Sequence, residues 1–146
     1  MKMSEKGPLV AVVDDEQPIR NALSRLLRIT GCKVETFVSG SAFLDSLSDH
    51  TPDCVVLDLH MPEMDGFEVE SRLAQGCFRI PIVVITGRDA PEDRERMTGR
   101  SVAAFLQKPL DGEALLNAIN SATKRIPPNP FPREAYTRVS QSKTRP

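Results

Sequence analysis

Residues 9–15 read Leu-Val-Ala-Val-Val-Asp-Asp, and residues 54–58 read Cys-Val-Val-Leu-Asp. Each is a short apolar run that ends in carboxylate, a pattern typical of a buried strand in a parallel sheet. Because the carboxyl ends of parallel strands meet at one edge of an open sheet, Asp14, Asp15 and Asp58 are predicted to converge there. Such carboxylates repel one another by about 4 kcal/mol per pair at ~4 Å and an effective dielectric near 20. A hard divalent cation with oxygen ligands is the simplest partner for the cluster.

The rest of the chain alternates short apolar runs with amphipathic segments. Strands are predicted at about 9–13, 33–37, 54–57, 82–85 and 103–106, and helices at about 17–30, 41–48, 66–75, 91–98 and 112–124. The fourth helix has the weakest pattern, because it is strongly charged and has little apolar face. Five β-α repeats predict an α/β fold of flavodoxin-like (βα)5 type, a doubly wound five-stranded parallel sheet in the order 2-1-3-4-5.

Length and charge divide the chain into a body and a tail. We expect an N-terminal extension at residues 1–7, one domain at 8–125 and a proline-rich basic tail or linker at 126–146. Residues 1–123 carry a net charge of −6, whereas residues 124–146 carry +5 and hold five of the 12 prolines. An acidic body with one tyrosine and no tryptophan is a poor platform for nucleic acid, so no direct nucleic-acid partner is expected.

The amino-acid sequence shows no pattern typical of a signal peptide or a membrane-spanning segment. No run reaches the roughly 18 apolar residues of a membrane span, and residues 1–8 lack the apolar segment of a signal peptide. The sequence therefore predicts a cytoplasmic protein without a membrane partner.

Two more strand ends carry polar side chains. Strand 4 leads into Thr86-Gly87 and strand 5 into Lys108-Pro109, and residues 58–66 read Asp-Leu-His-Met-Pro-Glu-Met-Asp-Gly. Any one of these motifs would be weak alone. The set resembles the receiver domain of two-component response regulators over about residues 8–124: an acidic pair after strand 1, D-x-x-M-P-x-x-D-G after strand 3, threonine after strand 4 and Lys-Pro after strand 5.

The resemblance implies a role for each position. Asp58 matches the phosphate-accepting aspartate. The implied ligands of Mg²⁺ (or Mn²⁺) are Asp14, Asp15, Asp58 and the backbone carbonyl of His60. Thr86 and Lys108 match the hydroxyl and ammonium groups that contact the phosphoryl oxygens, and Thr86 and Phe105 match the pair that switches on activation. The Lys108-Pro109 bond resembles one that is cis in this family.

Some residues have a second interpretation. Asp14 and Asp15 are good caps for the first helix, and Asp65-Gly66 is predicted to be a turn and helix start. His60 and Arg88 each lie two residues after a site residue, which makes them candidates for setting how long the phosphorylated state survives. His60 could equally be a solvated loop residue.

The function that the resemblance implies is a phosphoryl-activated switch rather than an enzyme with an external substrate. A sensor histidine kinase or phosphotransfer protein would donate to Asp58, and the face formed by the fourth helix, fifth strand and fifth helix would bind a downstream protein or a second copy. The chain could be a stand-alone receiver or the front of a longer transcription regulator. No helix-turn-helix pattern follows Lys124, so no DNA-binding output is expected here.

Two other classes of protein have weaker support. A phosphatase of the haloacid-dehalogenase type would use a phosphoaspartate within D-x-D, but His60 stands at the second aspartate position. A flavodoxin-like flavin binder would need a phosphate loop rich in serine, threonine and glycine. The acidic run Asp14-Asp15-Glu16 would instead repel the phosphate.

Overall fold

A five-stranded parallel sheet runs through the molecule in the order β2-β1-β3-β4-β5, as the sequence predicts. The structure is a computed structural model that describes residues 7–88, 90–98 and 100–123. The strands are β1 Leu9–Val13, β2 Lys33–Phe37, β3 Cys54–Asp58, β4 Ile82–Thr86 and β5 Val102–Gln107. The helices are α1 Gln17–Ile29, α2 Gly40–Ser46, α3 Gly66–Gln75, α4 Pro91–Met97 and α5 Gly112–Thr123.

Several predicted boundaries differ from the observed ones by one or two residues. β3 and β4 each include one further residue, Asp58 and Thr86, so both side chains lie on the strands themselves. The predicted end of α2 at residue 48 is wrong. The helix begins at Gly40, because the Ser39 side chain caps it by accepting from the Ala42 N–H at 3.1 Å, and it ends at Ser46. α1 and α4 each end one residue early, and Lys124, the predicted end of α5, lies outside the described residues.

Both faces of the sheet are covered by helices, which explains why the central strands are apolar throughout. Alternate strand residues such as Val55 and Leu57 pack with α2 and α3 on one face. Their neighbours Val56 and Cys54 pack with α1 and α5 on the other. Every residue of β3 and β4 is buried. This arrangement leaves the carboxyl edge of the sheet as the place where polar side chains gather.

The start of α3 is brought directly against the end of β3. Asp65 caps α3 by accepting from the Glu68 N–H at 2.9 Å, and the Gly66 N–H donates to the Leu59 carbonyl at 2.8 Å. A Cβ at Gly66 would lie 2.9 Å from the Asp58 carbonyl oxygen. The predicted turn and helix start at these two residues is therefore confirmed, and glycine is needed because the two backbones approach so closely.

In the described part of the chain, no helix combines the length and the apolar character that crossing a membrane requires.

Candidate functional site

Three carboxylates converge at the carboxyl edge of the sheet. Asp14 and Asp15 follow β1, Asp58 ends β3, and these two strands are hydrogen-bonded neighbours. One oxygen from each carboxylate lies within 4.8 Å of the others. Asp14 and Asp58 are buried, whereas Asp15 is exposed. The strand order thus brings together the three acidic side chains that are predicted from the sequence to converge.

Lys108 supplies the positive charge beside this cluster. Its Nζ lies 3.0 Å from Asp14 Oδ2 and 3.7 Å from Asp58 Oδ1. It also lies 3.0 Å from Glu16 Oε1, a contact not predicted from the sequence although Glu16 directly follows the acidic pair. Burial of Lys108 acts to lower its pKa, but the carboxylates of Asp14 and Glu16, each 3.0 Å from Nζ, outweigh that effect and the pKa is raised. The lysine is therefore a fixed cation here.

One lysine does not balance the negative charge. Burial and the neighbouring Asp14 carboxylate raise the pKa of Asp58 to about 7, although Lys108 acts in the opposite direction. Asp14 Oδ2 is buried and makes no hydrogen bond of normal geometry with any described residue, despite its ion pair with Lys108. Carboxylate oxygens with spare lone pairs and excess negative charge are what a hard divalent cation requires. The residues present therefore fit Mg²⁺.

The capping interpretation of Asp14 and Asp15 is wrong. The N-cap of α1 is Glu16, which makes no side-chain capping bond. Asp14 Oδ1 instead accepts from the Glu16 N–H at 2.9 Å, so it shapes the turn between β1 and α1. Both aspartates stand ahead of the helix, in the three-residue connection between Val13 and Gln17. Asp15 is left facing the cleft.

The Thr86 hydroxyl is already bonded to the loop that follows β4. Thr86 is fully buried, and its Oγ1 donates to the Arg88 carbonyl at 2.9 Å and accepts from the Arg88 N–H at 3.2 Å. The same hydroxyl can donate to another group only by giving up its hydrogen bond to the Arg88 carbonyl. Thr86 therefore links the edge of the sheet to the conformation of the β4–α4 loop.

A cleft of about 440 Å³ opens over the cluster, lined by Asp15, Glu16, Asp58, His60, Gly87, Arg88 and Lys108. Both candidates for lifetime tuning, His60 and Arg88, thus lie on its wall. His60 is not a freely solvated loop residue, because its Nε2 lies 2.8 Å from Asp93 Oδ2 on α4. This contact could not be predicted from the sequence, since α4 has the charged pattern that is typical of a solvated helix.

Phe105 lies apart from the cleft. It is partly buried on β5, and the guanidinium carbon of Arg94 lies 4.7 Å from its ring centroid. A second cavity of about 470 Å³ is lined by Arg94, Phe105, Leu106, Gln107, Lys108 and Pro109. Lys108 thus borders both cavities. The peptide bond between Lys108 and Pro109 is cis, as the resemblance implies.

The fold and the site together define a receiver-type α/β protein, with an acidic cluster and a lysine at the carboxyl edge of a doubly wound sheet. The chain belongs to the response regulator receiver domain family, whose model matches residues 10–120. Its relatives are response regulators of two-component systems. Membership in this family argues against the phosphatase and flavin-binding alternatives.

Curated relatives and solved structures agree with this assignment. The chain is 36% identical over 142 residues to the response regulator protein TodT of Pseudomonas putida F1, covering 97% of this chain and 61% of TodT. It is 35% identical over 123 residues to the response regulator MprA of Mycobacterium sp. strain KMS, covering 84% and 54%. The chain therefore spans only 54–61% of the length of these relatives.

Among solved structures, the FixJ-N crystal structure superposes with a TM-score of 0.73 at 35% identity, covering 84% of this chain and 96% of that one. A receiver protein from Burkholderia phymatum superposes with a TM-score of 0.74 at 35% identity, covering 85% and 99%. Full-length FixJ from B. japonicum superposes with a TM-score of 0.75 at 34% identity, covering 85% of this chain and 61% of FixJ.

Proposed function

We propose that the chain accepts a phosphoryl group on Asp58 from a sensor histidine kinase or a phosphotransfer protein and thereby switches a protein-binding surface. The observation that carries this proposal is the convergence of three carboxylates within 4.8 Å of one another beside Lys108. A cluster of this kind costs free energy in the unliganded protein. It is useful when a cation and a phosphoryl group complete it.

The transfer needs an ionised nucleophile that is held in position. A carboxylate oxygen of Asp58 attacks phosphorus, the bond from phosphorus to the donor atom breaks, and the donor leaves with that electron pair. The Lys108 ammonium favours the ionised form of Asp58 and lies where it can pair with the incoming phosphoryl oxygens. Bound Mg²⁺ (or Mn²⁺) would neutralise charge on those oxygens, and its proposed ligands are Asp14, Asp15, Asp58 and the His60 carbonyl.

The proposed switch begins at Thr86. A phosphoryl oxygen competes with the Arg88 carbonyl for the Thr86 hydroxyl hydrogen, so phosphorylation releases the β4–α4 loop from this bond and allows it to move. That movement changes the space available to Phe105 and to Arg94 above it. Phosphorylation would then shift a pre-existing equilibrium of the α4–β5–α5 face toward a form that binds a downstream protein or a second copy.

The proposal describes a signalling module that turns over no external substrate and acts in the cytoplasm. Residues 8–125 are its receiver domain, and residues 126–146 serve as a tail or as a linker to a further domain. The linker alternative has a specific observation in its favour, because the curated relatives extend well beyond the part that this chain matches. The lifetime of the phosphorylated state is assigned to the residues on the cleft wall, His60 and Arg88.

The direct test is incubation with a small acyl-phosphate donor and Mg²⁺, followed by intact mass measurement. We expect one added phosphoryl group that is absent in Asp58→Ala and absent when the metal is chelated. Asp49→Ala, which alters an exposed aspartate that does not line the cleft, is the matched control and should be phosphorylated normally. Equal phosphorylation of the Asp58→Ala variant would refute the assignment.

A further inference from the structure

The residue of interest is Asp93, on the buried side of α4. Its side chain is 10% exposed, and its Oδ2 lies 2.8 Å from Nε2 of His60, whose side chain is 39% exposed. A carboxylate is costly to bury unless a hydrogen bond or an opposite charge compensates it. The contact between α4 and the loop after β3 therefore compensates for the burial of the Asp93 carboxylate. As a consequence, it also holds His60 in place.

The His60 ring is held from two directions. Asp93 Oδ2 lies 2.8 Å from its Nε2, and the Phe67 ring lies in a T-shaped arrangement with it, with the ring centroids 6.4 Å apart and the planes at 70°. An ionised carboxylate only accepts hydrogen bonds, so Nε2 must carry a hydrogen. The contact thus selects one tautomer and one orientation of a ring that forms part of the cleft wall over Asp58.

We infer that Asp93 is a positioning residue that holds His60 in the cleft wall and slows hydrolysis of phosphorylated Asp58. The inference rests on the proposed function. In that hydrolysis, water attacks phosphorus, the bond between phosphorus and the Asp58 oxygen breaks, and the carboxylate and inorganic phosphate are released with the water proton on the phosphate. A ring fixed in the cleft wall restricts the approach of that water, and a released ring opens it.

The same contact couples the cleft to the surface that is proposed to bind partners. Met97 is the one buried apolar side chain among the described residues of α4, so polar contacts account for much of its attachment. They include the Asp93–His60 pair, Arg96 over the Phe67 ring at 3.5 Å and Arg94 over the Phe105 ring at 4.7 Å. Just after the helix, Arg100 pairs with the buried Glu70. A partner that displaces α4 would also release His60 and shorten the life of the phosphorylated state.

The test is a double-mutant cycle on the rate of dephosphorylation. Wild type, Asp93→Asn, His60→Asn and the double variant are phosphorylated with the acyl-phosphate donor and Mg²⁺, the donor is removed, and loss of the phosphoryl group is followed by intact mass. We expect Asp93→Asn to shorten the half-life by about threefold or more, within the range of coupling between residues in contact. In the His60→Asn background, the same change should alter the half-life less than about twofold.

A matched control exists on β2, the edge strand at the opposite end of the sheet from β5. His50 Nε2 lies 2.8 Å from Glu35 Oε2 in an exposed histidine–carboxylate pair that does not line the cleft. Glu35→Gln removes a contact of the same chemistry and should leave the half-life unchanged. An equal effect of Glu35→Gln and Asp93→Asn would assign the change to general loosening and overturn the inference.

A spectroscopic measurement distinguishes positioning from stability. Nitrogen-15 NMR of the His60 ring should show hydrogen on Nε2 in the wild type and a mixture of tautomers in Asp93→Asn. A wild-type ring with hydrogen on Nδ1 alone would overturn the inference even if Asp93→Asn failed to fold. The inference would also be overturned if phosphorylated Asp93→Asn had a half-life equal to or longer than that of the wild type, or if the effects of the two substitutions were additive. A wild type that takes up no phosphoryl group would instead refute the proposed function.

Discussion

At the scale of single residues, the charges around Asp58 determine its protonation. Burial and Asp14 disfavour the ionised form, while Lys108 at 3.7 Å favours it. The result is a carboxyl group whose pKa is raised to about 7. The protein without metal thus keeps Asp58, the proposed nucleophile, partly protonated near neutral pH, and a bound cation would shift it toward the ionised carboxylate.

The first prediction concerns Asp58→Asn in the presence of a metal chelator. The folded protein holds the Asp58 proton up to about pH 7, whereas the unfolded chain loses it near the ordinary value of 3.8. Folding of the wild type therefore weakens as pH rises through this window, and the loss is complete above it. Asn cannot ionise, so the variant should match the wild type near pH 4 and exceed its unfolding free energy by more than about 1 kcal/mol at pH 8.

Urea unfolding at a series of pH values measures this difference directly. The matched control is Asp49→Asn, which alters an exposed aspartate outside the cleft and should give a difference that is flat with pH. A stability gain in Asp58→Asn that grew toward acid pH would contradict the raised pKa.

The charged residues at the strand ends could be placed from the sequence because of where they stand in it. Asp14, Asp58 and Lys108 follow or end apolar strands, and strand ends share one edge once the sheet is parallel. Asp93 and Glu16 could not be placed in this way. The position of the Asp93 side chain depends on the rotation of α4 about its axis. The contact of Glu16 with Lys108 depends on the reach of a long, exposed side chain.

At the scale of elements, the close contact between α3 and β3 determines where the loop that joins them can lie. A methyl group at Gly66 would meet the Asp58 carbonyl oxygen at 2.9 Å and the Leu59 Cα at 3.0 Å, and both are backbone atoms that cannot rotate away. The loop that carries His60 is thus tied to the packing of a whole helix.

The second prediction follows from this contact. Gly66→Ala should lower the unfolding free energy by about 1–3 kcal/mol, as overpacking does, and should slow phosphorylation because the end of β3 must shift. Gly112→Ala is the control, because its nearest atom is Leu26 Cδ2 at 3.4 Å, an ordinary contact with a flexible side chain. Chemical unfolding and the phosphorylation rate measure the two effects. Equal stability of both variants would show that the β3 end adapts freely.

The third prediction compares two helices of equal length. α2 and α4 each have seven residues, but α2 buries the whole Phe43 side chain while α4 buries Met97 and the charged Asp93. Local opening is easier where fewer apolar contacts are lost. Amide hydrogen exchange in α4 should therefore be less protected than in α2 by about tenfold or more, which corresponds to about 1.4 kcal/mol. Equal protection would contradict the view that polar contacts dominate the attachment of α4.

Helix boundaries were less predictable than helix positions. The existence of α4 could be inferred from its place between β4 and β5, although its apolar face is weak. Its end at Met97 and the end of α2 at Ser46 depend on local hydrogen bonds that periodicity does not encode. The burial of a charged residue within α4 was likewise hidden, because charged helix residues usually face solvent.

At the scale of the whole molecule, the order of the strands creates the site. β1 and β3 are neighbours only because the chain reverses its direction of winding after β2, and this reversal opens the edge where their carboxylates meet. The sheet order and the acidic cluster could both be predicted from sequence, since the first largely entails the second. The coupling between cleft and α4 could not, because it depends on side-chain contacts between distant elements.

The final prediction concerns the whole molecule as a metal-binding protein. A ligand that binds only the folded state stabilises it by about 2.7 kcal/mol at a concentration of 100 Kd. Mg²⁺ should therefore raise the melting temperature of the wild type by roughly 5–15 °C for a domain of this size. Asp15→Asn should lose most of this rise, because it removes a carboxylate that faces the cleft without disturbing the buried Asp14.

Differential scanning calorimetry with and without Mg²⁺ measures the shift, and Asp49→Asn should retain it in full. In chelator alone, Asp15→Asn should melt at or above the wild-type temperature, because one of the repelling charges near Asp58 is gone. The variant should thus lose the rise caused by Mg²⁺ without losing stability in chelator. A general loss of folding would lower the melting temperature in both conditions and cannot produce this combination. If Mg²⁺ shifted Asp15→Asn as much as the wild type, the cation would be bound elsewhere on this acidic body, and the carboxyl edge of the sheet would not be its site.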